Sequence, residues 1–188
     1  MIDDTTTDDV VDEWESRELG ADERFARPVS PEEDQNLQTW VQNFHRSVAH
    51  NIPEGWRIVG ENVWAEHSIR YENLKSYFYP FAVYDDINFC LSVDDMEIFL
   101  RTEVFKGLPN QWKVPSKPMV MYRDVFNRSR IEAIEIDCDK QEGYVIRTDD
   151  GFHYDEFPNH VAKYVRSGHV QTDQHWLKNA KKNGNLIP

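Results

Sequence analysis

Four charged residues interrupt the most apolar stretches of this sequence: Glu61 in RIVGENVW, Asp85 at the end of FAVYD, Glu142 at the head of EGYVIR and Lys163 in VAKYV. A carboxylate or an ammonium inside a strand core is costly unless it is paired or used. Taken singly, each is explained by strand alternation that turns it to solvent. Four of them in four successive strands read instead as one groove lined by three acids and a lysine. Such a groove suits a nucleotide with a divalent cation. The ammonium neutralises phosphate, and the carboxylates hold Mg2+ directly or through water.

The elements that must position these residues are legible from periodicity. Ser30 reads as an N-cap ahead of Pro31 and the acids of PEED. Leu37, Trp40, Val41, Phe44 and Val48 then recur at three- and four-residue steps, so a helix with one apolar face is expected to run to about Asn51. Trp56–Trp64, Ser76–Tyr84 and the shorter Ile87–Leu91 read as strands, rich in β-branched and aromatic residues. Ser92–Phe105 is a capped helix with Met96, Phe99, Leu100 and Val104 along one face. VMYR, within Pro115–Arg123, reads as a strand and Asp124–Ile134 as a short helix. Glu142–Tyr154 reads as a hairpin turned by DDG, and Val161–Arg166 as a last strand. Strands and helices mix without a βαβ repeat, which predicts an α+β fold with a mostly antiparallel sheet.

Charge and composition divide the chain. Residues 1–34 hold thirteen Asp/Glu against three Arg, whereas five Lys/Arg and a single acid follow Asn159. The expected organisation is an acidic, flexible tail over 1–31, a folded domain over 32–178 and a short basic tail over 179–188. At a net charge of −13 the whole chain is a poor nonspecific binder of nucleic acid, and only its C-terminal part offers a basic surface. No apolar run approaches the roughly 20 residues that span a membrane, and the first residues lack the pattern of a signal peptide. Cys90 and Cys138 form no CxxC pair, so two buried free thiols in a reducing, cytoplasmic setting are expected rather than a zinc site.

The order and wording of the segments carry a resemblance. Gly60-Glu61-Asn62, Val83-Tyr84-Asp85, Glu142-Gly143-Tyr144-Val145-Ile146-Arg147 and Ala162-Lys163-Tyr164-Val165-Arg166 resemble motifs III, IIIa, IV and V of the covalent nucleotidyltransferases. GENVWAEHSIRYENLKSYFYPFAVYDD and VAKYVRSGHVQTDQHW resemble a bacterial and phage branch of the ATP-dependent RNA ligases, over about Asp34 to Trp176. The resemblance implies a nucleotidyltransferase domain that uses ATP and Mg2+ to join RNA ends through an adenylylated intermediate. It implies that Glu61 contacts the ribose hydroxyls and that Tyr84 stacks on adenine. It also implies that Glu142 holds the metal, with Asp85 as a second candidate, and that Lys163 binds the α-phosphate. Arg166 stands one place beyond the second basic position of motif V, which Val165 occupies. His67, Arg70, His169 and His175 lie in similar phrases and are candidate RNA contacts.

One part of the pattern is missing. Such ligases carry AMP on the lysine of a KxDG motif ahead of the GEN segment, yet this chain has no KxDG and its first lysine is Lys75. Arginine is no substitute, because its guanidinium stays protonated. The fold is accordingly expected to be N-terminally incomplete. Two functional readings remain open. Either this is an RNA ligase domain whose lysine comes from elsewhere, for example from a second polypeptide, or it is a non-catalytic relative that binds nucleotide, RNA or protein. An acidic α+β protein without any nucleotide site is the third, blander alternative.

Overall fold

The computed structural model describes residues 36–66, 69–108, 112, 114–167, 181–184 and 186. The first described helix, α1 (Leu37–Val48), is capped by Asn36, whose side-chain oxygen accepts the Thr39 N–H at 2.9 Å. Asn36 therefore takes the capping role expected of Ser30, which lies outside the described residues. Trp40, Phe44 and Val48 form the buried stripe of α1, as their spacing predicts.

Four strands make the first sheet, in the order β1 (Arg57–Asn62), β2 (Phe78–Tyr84), β3 (Phe89–Cys90) and then a short strand from much later in the chain, Phe152–His153. All of its pairings are antiparallel. Between β2 and β3 the chain turns on Asp85, whose Oδ1 accepts the N–H groups of Ile87 and Phe89 at 3.0 and 2.8 Å. Ser92 caps α2 (Val93–Phe99), and a π-helical turn, Leu100–Val104, continues it. Met96, Leu100 and Val104 recur every four residues and are fully buried. With Trp40, Phe44, Val48, Trp64, Tyr77, Val83 and Trp112 they form the main core, between the helices and one face of the first sheet.

After α3 (Arg128–Glu132), β4 (Gly143–Arg147) pairs antiparallel with β6 (Val161–Val165) to make a second, two-stranded sheet. β5 is the Phe152–His153 strand already placed in the first sheet, and α4 (Phe157–His160) leads from it back into β6. The α+β class with antiparallel sheets is thus observed.

Two local expectations are overturned. Glu142–Tyr154 is no hairpin, because β4 and β5 belong to different sheets. The Asp149 carbonyl of the supposed turn accepts from Val93 N–H at 2.9 Å, and Thr148 N–H donates to the His160 carbonyl at 3.0 Å. VMYR is no strand either. Met119, Val120 and Met121 stand exposed, and Arg123 instead ties Asp94 at the start of α2 to Asp149, at 2.9 and 2.7 Å. Cys90 is buried as expected, but Cys138 is exposed. The segment read as a basic tail is partly built into the fold: Lys182 bridges to Ala65, Leu186 bridges to Leu74, and Asn183 is buried. No helix of the described residues is long and apolar enough to cross a membrane.

Candidate functional site

The site is built where the second sheet meets the free face of the first. On β1, Ile58 packs into the helical core, while Arg57 and Val59 point the other way. Alternation puts Glu61 on the side of Arg57 and Val59, and its side chain is exposed. A bulge at Val59/Gly60 leaves Phe81 of β2 without a partner in the ladder. Gly60 is required there, since a Cβ would stand 2.5 Å from the Phe78 ring and 2.8 Å from the Tyr79 carbonyl.

Arg147, at the end of β4, uses what the bulge releases. Its guanidinium donates to the Phe81 carbonyl at 3.1 Å and to the Leu91 carbonyl at 2.9 Å, and lies 5.7 Å over the Phe152 ring. Val161 of β6 packs on a small cluster of Ala82, Tyr84, Cys90 and Phe152. Arg147 and Val161, paired across the ladder, thus join the two sheets. Two residues along, Val145 and Lys163 are also paired, so alternation gives them the same side of the sheet, and both are exposed. Gly143 and Val165 pair next. A Cβ on Gly143 would collide with the Tyr164 carbonyl, so the EG pair of the sequence is a steric necessity. One step further out, Arg166 N–H donates to the Glu142 carbonyl at 2.8 Å.

Electrostatics identify the neighbours of this end of the ladder. Burial raises the Tyr71 hydroxyl above the usual phenol range, the Glu142 and Glu61 carboxylates raise it further, and Arg166 opposes them. Glu61, Glu142 and Arg166, from three separate segments, thus each act on the Tyr71 hydroxyl. Arg166 Nε is buried without a hydrogen-bond partner. The four charged residues that drew notice in the sequence are not strand-core charges. Glu61 and Lys163 are exposed, and Asp85 and Glu142 sit just outside strand ends.

Tyr84 and Asp85 lie at the other end of the β1–β2 ladder. Tyr84 faces Arg57 in the ladder, whereas Glu61 faces Tyr79, which sets the two ends about 13 Å apart at roughly 3.3 Å per residue. Tyr84 is buried, with the Arg57 guanidinium 4.3 Å over its ring and Tyr154 edge-on at 5.7 Å. Burial, with a further contribution from Cys90, pushes its hydroxyl up to about 12, against the pull of Arg57 and Arg147. Arg70 is exposed, 3.7 Å from Glu72. His67, His169 and His175 lie outside the described residues. Among the described residues no group of three His, Cys, Asp or Glu side chains is placed to hold a metal ion. Sequence reasoning assigned no role to Tyr71, Arg147 or Asn183, although Tyr71 and Arg147 stand inside the phrases that drew attention.

The RNA ligase family model matches residues 16–165, from ahead of α1 to the end of β6. The chain belongs to the RNA ligase family. The match takes in Glu61, Glu142 and Lys163, and the core, the bulge and the Arg147 staple described above all fall within it. No curated protein and no solved structure matches this RNA ligase family chain significantly.

Proposed function

We propose that the groove between the two sheets binds ATP, or the AMP of an adenylylated RNA end, as one part of ATP-dependent RNA joining. The observation that carries the reading is the gathering of Glu61, Glu142 and Arg166 around Tyr71 at the open end of the β4–β6 ladder. An exposed carboxylate on β1 suits ribose hydroxyls. Lys163, exposed on the side of β6 that faces the first sheet, suits the α-phosphate, and the unpartnered Nε of Arg166 suits a second phosphate oxygen. The donor set fits a nucleotide. It does not make a protein-built metal cage, so Mg2+ fits only as an ion carried largely by phosphate and water, with Glu142 as its protein ligand. Bound there, it would offset negative charge on the phosphates. Asp85 is committed to its turn and far along β2 from Glu61, so we give it no share in the metal.

Adenine is assigned to the Tyr84 end of the groove, where stacking on an aromatic face contributes roughly 1–3 kcal/mol per base. Arg57 covers that face and has to move aside. RNA contacts are assigned to Arg70, His67, His169 and His175. Attack on the α-phosphorus needs an amine that the segment before GEN does not supply. We therefore assign the adenylylating lysine to another segment or a second polypeptide. The absent KxDG motif favours a binding-competent relative over an autonomous ligase, and likeness to a bacterial and phage branch is part of the same reading.

Intact mass spectrometry after incubation with ATP and Mg2+, beside an ATP thermal shift, tests it. The expected result is a stabilised chain with no AMP adduct. An adduct would contradict the account of the nucleophile, and no shift would remove the nucleotide site.

A further inference from the structure

Past the second sheet, the chain returns to the site by a route the motifs do not mark. Asn183, only 4% exposed, satisfies its whole side chain on one loop. Its Nδ2 donates to the Val63 and Ala65 carbonyls at 2.9 and 3.1 Å, and its Oδ1 accepts the Tyr71 N–H at 2.9 Å. Its own N–H donates to the Trp64 carbonyl at 2.8 Å, and the N–H of Gly184 donates to the Tyr71 carbonyl at 2.8 Å. The segment that follows Glu61 directly is thereby gripped at both ends, at Val63–Ala65 and at Tyr71. Nothing in the helical core supplies these bonds. The carbonyls of Val63 and Ala65 converge on the side-chain amide and that of Trp64 on the backbone N–H of the same residue, and Asn adds to its two side-chain donors an acceptor in the same plane.

We propose that Asn183 is a positioning residue for the nucleotide site, holding the Val63–Tyr71 loop so that Tyr71 and Glu61 stand against Glu142. The inference rests on the reading of that groove as a nucleotide site. It gives the C-terminal segment a part in ligand binding without contact to the ligand. The electrostatic environment of Tyr71 supports it, since the residue whose backbone Asn183 holds senses both carboxylates. Small misplacements at such sites have large consequences, on the order of 100-fold for about 1 Å.

The test is ATP·Mg2+ titration calorimetry on the full chain, with melting temperatures measured alongside. Asn183→Ala is expected to weaken ATP binding roughly tenfold or more. Gly184→Ala is the milder variant, because its new Cβ would meet the Tyr71 carbonyl and Glu72 Cα at 3.0 Å and displace the loop by a few tenths of an ångström. It is expected to weaken binding severalfold with little change in melting temperature. Val104→Ala, buried in the helical core and making no hydrogen bond to the described residues of the loop, is expected to lower the melting temperature while leaving ATP affinity unchanged. Affinity that follows melting temperature across all three variants would reduce Asn183 to a stability residue and overturn the inference. Wild-type binding with unaltered affinity in both loop variants would overturn it alone, leaving the groove intact. No binding by the wild-type chain would overturn the groove reading and this inference with it.

Discussion

The two sheets of this molecule are held in different ways. The first lies on a continuous core in which Val83, Met96, Leu100 and Val104 are wholly buried. The second has only two strands, and Ala162, Lys163 and Tyr164 of β6 are all exposed. Among the described residues its attachment to the first includes the Arg147 guanidinium, Val161 and the small cluster under Tyr84, with Asp149 just past the end of β4 held by Val93 N–H. Two strands alone are marginal in water, so the second sheet depends on its neighbour for order. The residues proposed to meet phosphate lie on this less supported part, which suggests that the first sheet supplies stability and the second supplies most of the charge.

The comparison breaks most visibly in the core. Leu100→Ala should cost about 2–5 kcal/mol, a large part of a typical 5–15 kcal/mol, and chemical denaturation should register it for the whole domain. Arg147→Ala removes three charge-assisted bonds, two of them to the first-sheet side at Phe81 and Leu91 and one to the Thr148 carbonyl, and should cost about 1–3 kcal/mol. Its sharper signature is loss of the ATP thermal shift, with hydrogen exchange rising in β4 and β6 and not in α2. Equal loosening of both regions would show that the second sheet is not separately anchored.

Arg57→Ala should lower stability slightly yet strengthen ATP binding severalfold, since it uncovers the Tyr84 ring. Weaker binding would remove adenine from that end of the groove. The smallest effect is alkaline. The Tyr84 hydroxyl ionises near 12 when folded, against 10.0 for a free phenol. The folded chain keeps this proton where the unfolded chain has lost it. The contribution of this group to stability is therefore complete below pH 10 and lost as pH rises to 12. Tyr84→Phe should flatten that alkaline descent, measured as melting temperature against pH.

What could be read from the sequence follows the same division. The helix stripes of Trp40, Phe44, Val48 and of Met96, Leu100, Val104 follow the 3.6-residue period, and both helices appeared where expected. The strands β1 and β2 did too. Glu142–Tyr154 misled because DDG between two strand-like runs is a hairpin signal, and no local pattern says that the second run will pair with Phe89–Cys90 instead. VMYR misled because a strand propensity needs a partner strand, which those residues do not find. Within the site, Glu61, Glu142 and Lys163 stood out as charges among apolar residues, and Arg166 through its place next to the motif V positions. Tyr71 and Asn183 did not, since a tyrosine in a loop and an asparagine near the C-terminus acquire meaning only from contacts 112 residues apart.

The most direct measurement is calorimetric ATP·Mg2+ binding to the wild-type chain and to Lys163→Ala, with melting temperatures recorded for both. Lys163 is exposed, so its loss should leave the melting temperature almost unchanged while abolishing measurable ATP binding. Equal binding by the two proteins, or none by either, would contradict the claim that the groove between the sheets is a nucleotide site.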